Sequence, residues 1–200
     1  MIVPWTLLYP KVRCRRRQRA AGRGFTLVEL LIVLTVLGAV ATVVIPTYQS
    51  VHEGCCVKAA MAEITGMIRE AKQNALCNDR YYAIGFDPVR GKVSLLAGKG
   101  RDGKWNTADD QVVRSFSLAS KGGGLCFGYG AYGPLPTLAS VADGISFQCN
   151  NTLECNPQLT GNGGAVYLIT RRGRAIAISM NEKDYGYKLY TWSGKKWLRI

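Results

Sequence analysis

Three arginines lie close together in the sequence. Arg171 and Arg172 are adjacent, and one glycine separates them from Arg174. The residues around them alternate in polarity, which predicts that they sit at the tip of a β-hairpin. Guanidinium groups bind phosphate through paired N–H donors, and several together release counterions from a nucleic acid. Lys195 and Lys196 add further positive charge. Two interpretations stay open, a DNA-binding surface and a solvated turn without a ligand.

A second polar cluster runs from Asp102 to Asp110 and contains the additional carboxylate of Asp109. Carboxylate oxygens are the ligands that calcium prefers. The spacing does not follow the alternate positions of an EF-hand loop, so a polar turn before the next strand is the preferred interpretation. We expect no metal and no cofactor.

Catalytic constellations are not evident in the sequence. His52 is the only histidine, and no serine or cysteine nucleophile motif lies near it. The glycines 122–124 lack the Lys-Ser/Thr pair that completes a phosphate-binding loop. The sequence therefore predicts a structural or binding protein and not an enzyme.

The cysteines indicate an oxidising compartment. Six of the seven lie beyond the first 24 residues, an even set that is typical of disulfides in a chain that leaves the cytoplasm. Cys149 and Cys155, six residues apart in a polar stretch, are the predicted pair. Buried thiols are the alternative for Cys55 and Cys56.

The first structural element that the sequence predicts is an apolar run from Phe25 to Ile45. At about 1.5 Å per residue, a helix of this length crosses a hydrocarbon core of about 30 Å. Residues 1–24 hold seven of the 26 basic residues and no acid, so the positive-inside rule keeps them in the cytoplasm. Glu29 is the one ionisable group of the run and needs a cationic partner, because a carboxylate inside a membrane is costly.

An ordinary secretory signal is a competing interpretation. Ala39-Val40-Ala41 would serve as its cleavage site. The mature chain would then begin at Thr42, or the uncut chain would be a tethered domain. Against this stand Glu29 within the apolar run and the continuation of that run to Ile45.

The residues GFTLVELL, from Gly24 to Leu31, resemble the recognition motif of type IV pilin and type II secretion pseudopilin precursors. The resemblance implies that a prepilin peptidase cuts between Gly24 and Phe25 and methylates the new Phe25 amine. It also implies that Glu29 pairs with the Phe25 ammonium of a neighbouring subunit when helices bundle into a filament.

Beyond the apolar run, hydrophobic residues recur at helical spacing to about Cys77, which predicts one long helix with an amphipathic outer half. Its predicted wet side comprises Lys58, Glu63, Arg69, Glu70 and Lys72. After Asn78 the period changes to two, which is typical of short antiparallel strands. The predicted strands are Tyr81–Phe86, Lys92–Ala97, Val112–Leu118, Ile145–Cys149, Ala165–Thr170, Arg174–Met180, Tyr187–Trp192 and Lys196–Ile200. The stretch 122–136, rich in Gly, Pro and Tyr, is predicted to be a long surface loop.

This order of elements, with Gly173-Arg174 in a basic hairpin, resembles the GspH/FimT-like branch of minor pilins and pseudopilins. We expect an α+β fold in which a long amino-terminal helix, transmembrane and then amphipathic, packs on an antiparallel β-sheet domain. The predicted divisions are a cleaved cytoplasmic leader (1–24), a transmembrane segment (25–45), a periplasmic amphipathic half-helix (46–78) and a β domain (79–200). The resemblance implies a minor subunit in the bacterial inner membrane, with the prepilin peptidase and other pilins as partners, and DNA uptake as the alternative function.

Overall fold

The structure is a computed structural model that describes residues 24–136, 138, 140–158, 161–181 and 186–200. The predicted leader, residues 1–24, lies outside the described residues except for Gly24. The chain divides into two units, Met1–Val43 and Val44–Ile200. Its fold class is α+β, with a long apolar amino-terminal helix followed by antiparallel strands, as predicted.

Helix α1 runs from Leu27 to Asn78, one residue beyond its predicted end. Between residues 27 and 43 its side chains are mainly apolar, and all are exposed except Ala41, which is half-buried. Its most apolar window has a mean hydropathy of 2.7, so α1 is long and apolar enough to cross a membrane. Within the described residues it is the one helix that meets this test.

Nine strands follow the helix in the described part of the chain. They are β1 (Tyr82–Asp87), β2 (Lys92–Leu96), β3 (Val112–Ser117), β4 (Cys126–Phe127), β5 (Thr152–Cys155), β6 (Gly164–Ile169), β7 (Ala175–Met180), β8 (Tyr187–Trp192) and β9 (Trp197–Arg199). They form two sheets, in the orders β3-β2-β1-β5 and β4-β6-β7-β8-β9. Every neighbouring pair is antiparallel.

One core joins the outer half of α1 to both sheets. Its helical members recur every three or four residues: Val57, Ala60, Ile64, Met67, Ile68, Ala71 and Ala75 are all buried. They pack in one cluster with Ile84 of β1, Val166 of β6 and Ile178 of β7. Burying each large aliphatic side chain stabilises by about 1.5–3 kcal/mol. This stripe, which agrees with the predicted amphipathic half, therefore holds the second unit together.

The stretch 122–136 is mostly irregular and at the surface, as predicted, but part of it packs on the second sheet. It contains β4, and Leu135 is buried against the outer face of the second sheet. The Leu135 backbone N–H donates to Tyr167 Oη at 2.9 Å, and burial raises the pKa of Tyr167. The prediction was wrong for this part, because Leu135 and Tyr129 supply apolar area that covers the sheet.

The predicted strand Ile145–Cys149 was also wrong. Ile145 forms one isolated bridge with Val166, after which Gln148–Asn151 make a tight turn with left-handed φ at Cys149, Asn150 and Asn151. Such a backbone cannot continue a ladder. The chain then enters the first sheet as β5, a strand that the periodicity did not predict.

The predicted wet side of α1 is partly engaged with the first sheet and the turn after β3. Arg114 of β3 lies 3.1 Å from Glu63 and 3.7 Å from Glu70. Lys121, in the turn after β3, lies 2.7 Å from Glu63. The Lys121 hydrogen bond, with the charges of Lys121 and Arg114, lowers the pKa of Glu63 below its ordinary 4.5. These contacts tie the polar edge of the helix to β3.

We predict that Glu63→Gln reduces the free energy of unfolding at neutral pH by up to about 1 kcal/mol, since exposed ion pairs contribute little more. Because the folded pKa of Glu63 is lowered, its contribution is present above about pH 4.5 and is lost as the pH falls through the folded value. Denaturant unfolding of the full chain in detergent between pH 3 and 7 measures this. Glu70→Gln, at the longer contact, is the control and should change the profile less; equal profiles for Glu63→Gln and the unaltered chain would contradict the assignment.

Candidate functional site

The residues of the predicted processing motif lie at the start of α1. Gly24, Phe25 and Thr26 precede the helix in an irregular conformation, and all are exposed, Phe25 by 74%. Glu29 is an exposed residue of the first helical turn. In the described residues its carboxylate forms no ion pair. The first unit thus presents an accessible Gly24–Phe25 bond and a carboxylate free to meet a cation from elsewhere.

Thr26 determines where the helix begins. Its Oγ1 accepts a hydrogen bond from the Glu29 backbone N–H at 3.2 Å, which satisfies one of the donors that every helix start leaves open. A carboxylate at this third position is also favoured by the positive end of the helix dipole. The same residues that form the predicted recognition motif therefore stabilise the helix start.

The three arginines occupy the predicted hairpin tip, between β6 and β7, and that tip lies on the helix. Arg172 donates to the Pro46 carbonyl at 3.3 Å and to Gln49 Oε1, and its Nε lies 3.6 Å from Glu53 Oε1. Gly173 has φ +83°, a left-handed turn conformation that glycine adopts without strain. Arg172 is therefore part of the contact with α1.

Arg171 and Arg174 flank this contact. Gly54 is buried, and a side chain there would collide with Nη1 of Arg174, so the glycine lets the hairpin tip approach the helix closely. Both arginines are exposed. Within the described residues, neither guanidinium forms an ion pair. The tip thus keeps two cations available to a ligand.

The predicted lysines belong to the same end of the second sheet. Lys195 and Lys196 are exposed in the turn between β8 and β9. The preceding residue, Gly194, lines a cleft of about 360 Å³ together with Arg172 and Arg174. The structure therefore brings the two predicted basic segments to neighbouring positions.

Aromatic rings line the cleft beside these cations. Tyr132 stacks on Trp192, with ring centroids 4.9 Å apart and planes inclined by 16°. Trp197 meets Trp192 edge-on at 5.5 Å. A half-buried aromatic wall thus stands next to the arginines.

The six cysteines of the described residues form no disulfide in the structure. Cys149 is exposed in the left-handed turn, whereas Cys155 is buried in the core on β5. Their predicted disulfide is not formed in this structure and stays a prediction. Of the two adjacent helical cysteines, Cys55 is exposed and Cys56 buried, with its Sγ 3.6 Å from His52 Nε2.

The acidic loop is organised by its own backbone. Asp109 accepts hydrogen bonds from the Thr107 hydroxyl at 2.7 Å and from the Arg101 N–H at 2.6 Å. Asp110 accepts from the N–H groups of Gly100 and Thr107, both at 3.0 Å. The Thr107 hydroxyl, aided by the N–H donors, holds the pKa of Asp109 below its ordinary value. These carboxylates stabilise a turn, which agrees with the preferred interpretation.

Comparison with known proteins identifies the amino-terminal segment. A family model described as "Prokaryotic N-terminal methylation motif" matches residues 19–45. A fimbrial protein of Pseudomonas aeruginosa is 34% identical over 91 residues, covering 40% of this chain and 56% of that protein. The amino-terminal segment of this chain is thus similar to that of proteins with the methylation motif, and part of the chain is similar to fimbrial proteins. A fimbrial protein of Moraxella nonliquefaciens is 33% identical over 79 residues, covering 40% of this chain and 51% of that protein.

The likeness to these proteins is partial. The chain spans about half the length of the relatives it matches. The solved structure of the minor pseudopilin EpsH, from the type 2 secretion system of Vibrio cholerae, aligns over 72% of this chain and 94% of that one, with 10% identity and a TM-score of 0.37. The family-model match concerns the amino-terminal segment, residues 19–45.

Sequence reasoning missed two features of the pilin-like chain. The first is the helix cap at Thr26, although Thr-x-x-Glu is a capping-box signature. The second is Gly54, whose role depends on a hairpin more than a hundred residues away in the sequence. The cap could have been found from the sequence, whereas the glycine contact could not.

We predict that the acidic loop takes up no calcium, because its carboxylate oxygens already accept hydrogen bonds from the loop. Calorimetric titration of calcium into the full chain in detergent should give no saturable heat. Asp109→Asn is the comparison variant, and it should behave the same. Saturable heat that disappears in this variant would establish a calcium site instead.

Proposed function

We propose that this chain is a minor pilin or pseudopilin that a prepilin peptidase cuts between Gly24 and Phe25. The observation that supports this is the combination of an exposed Gly24–Phe25 bond with a long apolar helix that begins two residues later. The peptidase would methylate the new Phe25 amine. The helix would then carry the subunit into a filament, and the β domain would remain outside its core.

Glu29 would have the central role in assembly. It is the only ionisable residue between Phe25 and Ile45, so this segment offers its carboxylate no cation of its own. A neighbouring subunit's methylated Phe25 ammonium would supply the charge. Pairing the two groups removes most of the cost of placing a carboxylate among apolar helices, which makes assembly dependent on prior cleavage.

The proposed location is the bacterial inner membrane, with residues 25–45 crossing it once and residues 46–200 in the periplasm. The basic residues of 1–24 support this orientation. The partners would be the prepilin peptidase and other pilins or pseudopilins. The minor, GspH/FimT-like assignment is supported by the order of one long helix, two sheets and a basic hairpin.

DNA uptake through the basic hairpin is the alternative function. The exposed guanidinium groups of Arg171 and Arg174, with Lys195 and Lys196 nearby, are its support. The engagement of Arg172 with Glu53 leaves two arginines for phosphate where the sequence suggested three.

Expression with an active prepilin peptidase should yield a mature chain whose first residue is methylated Phe25, as measured by amino-terminal sequencing and intact mass. Gly24→Val should leave the precursor uncut, because the bulkier side chain stands at the scissile bond. Gly38→Val is a matched control, since a side chain has open space at both positions; it should be cut normally. A mature terminus at Thr42, or no cleavage with the peptidase present, would favour a secreted or tethered domain.

Glu29→Gln should be cut at the same bond but should fail to enter filaments, because the amide cannot pair with the Phe25 ammonium. The fraction of the variant recovered in sheared filaments, relative to the membrane fraction, measures this. Glu70→Gln removes a carboxylate from the same helix outside the apolar run and should assemble normally. Normal assembly of Glu29→Gln would contradict the role of Glu29.

A further inference from the structure

We propose that the β domain binds anionic phospholipid headgroups of its own membrane through a basic rim made of Arg171, Arg174, Lys195 and Lys196. The inference rests on the proposed anchoring of residues 25–45 in that membrane. It concerns the subunit before assembly, when the helix is surrounded by lipid.

The position of the hairpin tip is the first observation. Arg172 donates to Pro46 and Gln49, and Pro46 directly follows Ile45, the last residue of the apolar run. From Ile45 to Gln49 the helix rises by about 6 Å. The headgroup layer extends on the order of 5–8 Å beyond each side of the hydrocarbon core. The Arg172 contacts at Pro46 and Gln49 therefore lie within this layer, whereas Arg174 contacts Gly54 about 14 Å beyond Ile45.

The charge of the rim is the second observation. All four of its cations are exposed, and in the described residues none of them forms an ion pair. Glu53, the acid that lines the same cleft, is engaged by Arg172. Cations within about a Debye length, roughly 8–10 Å, of the headgroups are attracted to anionic lipid, and guanidinium groups bind phosphate through paired donors.

Aromatic residues at the same level are the third observation. Tyr48 lies between Pro46 and Gln49 in the sequence and is 68% exposed. Trp192 and Tyr132 form the half-buried aromatic wall beside the rim. Tyrosine and tryptophan are enriched at the membrane–water interface, where the ring meets apolar chains and the polar atom meets water. The mixture of rings and cations fits this layer.

The location favours lipid over DNA as the occupant. The hairpin tip that carries two of the rim cations contacts the helix from Pro46 to Gly54, just beyond the apolar run, so a duplex would have to compete there with headgroups. Binding of DNA by the inserted protein is therefore an outcome that the experiment must be able to detect.

The experiment uses the full chain, with Trp5→Phe as background, in liposomes of phosphatidylcholine alone or mixed with phosphatidylglycerol. A headgroup spin-labelled lipid quenches nearby tryptophans; Trp192 and Trp197 are half-buried near the rim, and Trp105 is buried. We expect greater quenching in the anionic liposomes. The excess should disappear in Arg171→Ala/Arg174→Ala, and at about 1 M salt, where charges are screened beyond about 3 Å.

Arg80→Ala/Arg101→Ala is the matched control, because both arginines are exposed and Arg80 follows the other end of the helix. Asn78 is about 44 Å from Gln49 along an α-helix. This control should keep the excess quenching. Equal quenching in the two kinds of liposome, or equal loss in both double variants, would overturn the inference.

Two further outcomes separate this inference from the proposed function. A chain that fails to float with the liposomes would overturn both, whereas a chain that inserts without any anionic preference would overturn the lipid contact alone. Labelled duplex DNA is added to the same liposomes. Binding of DNA that is lost in Arg171→Ala/Arg174→Ala, with quenching unchanged, would assign the rim to DNA and overturn the lipid contact.

Discussion

The burial of one helical stripe is the interaction on which the second unit depends. The outer half of α1 places Ile64, Met67 and Ile68 in a core that contains strands of both sheets. The inner half is apolar on every side and exposed, so its surface must be covered by lipid or by other helices. One continuous helix therefore joins two different segments. The apolar side chains of the outer half are buried within the chain, whereas those of the inner half need a covering from outside it.

The same helix also organises the polar contacts of the domain. Glu63 receives Arg114 and Lys121 from the first sheet and the turn that follows it, and Glu53 receives Arg172 from the second. Each contact is modest in energy, since such pairs are solvated. Their effect is geometric, because they hold the first sheet and the hairpin tip of the second against the helix. Arg172 forms an ion pair with the helix, whereas in the described residues Arg171 and Arg174 form none.

Much of the fold could be predicted because its signals are local. The helix end was predicted to within one residue, and β8 was predicted at its exact bounds, because hydrophobic periodicity reports directly on the buried face. The predicted strand Ile145–Cys149 failed because three left-handed residues stop the ladder. The missed strand β5 is short, and it pairs with β1, some 70 residues earlier in the chain.

The sequence by itself determined the features of the amino-terminal segment. The Gly24–Phe25 motif, the apolar run and the lone Glu29 are properties of residue order and composition, and they require no tertiary contact. It also determined that a basic hairpin exists. Only the tertiary structure decided that this hairpin lies against residues 46–54 of the helix and beside Gly194 of another turn. The reason is physical: contacts between distant residues follow from how the sheets pack on the helix, and local periodicity carries no record of that packing.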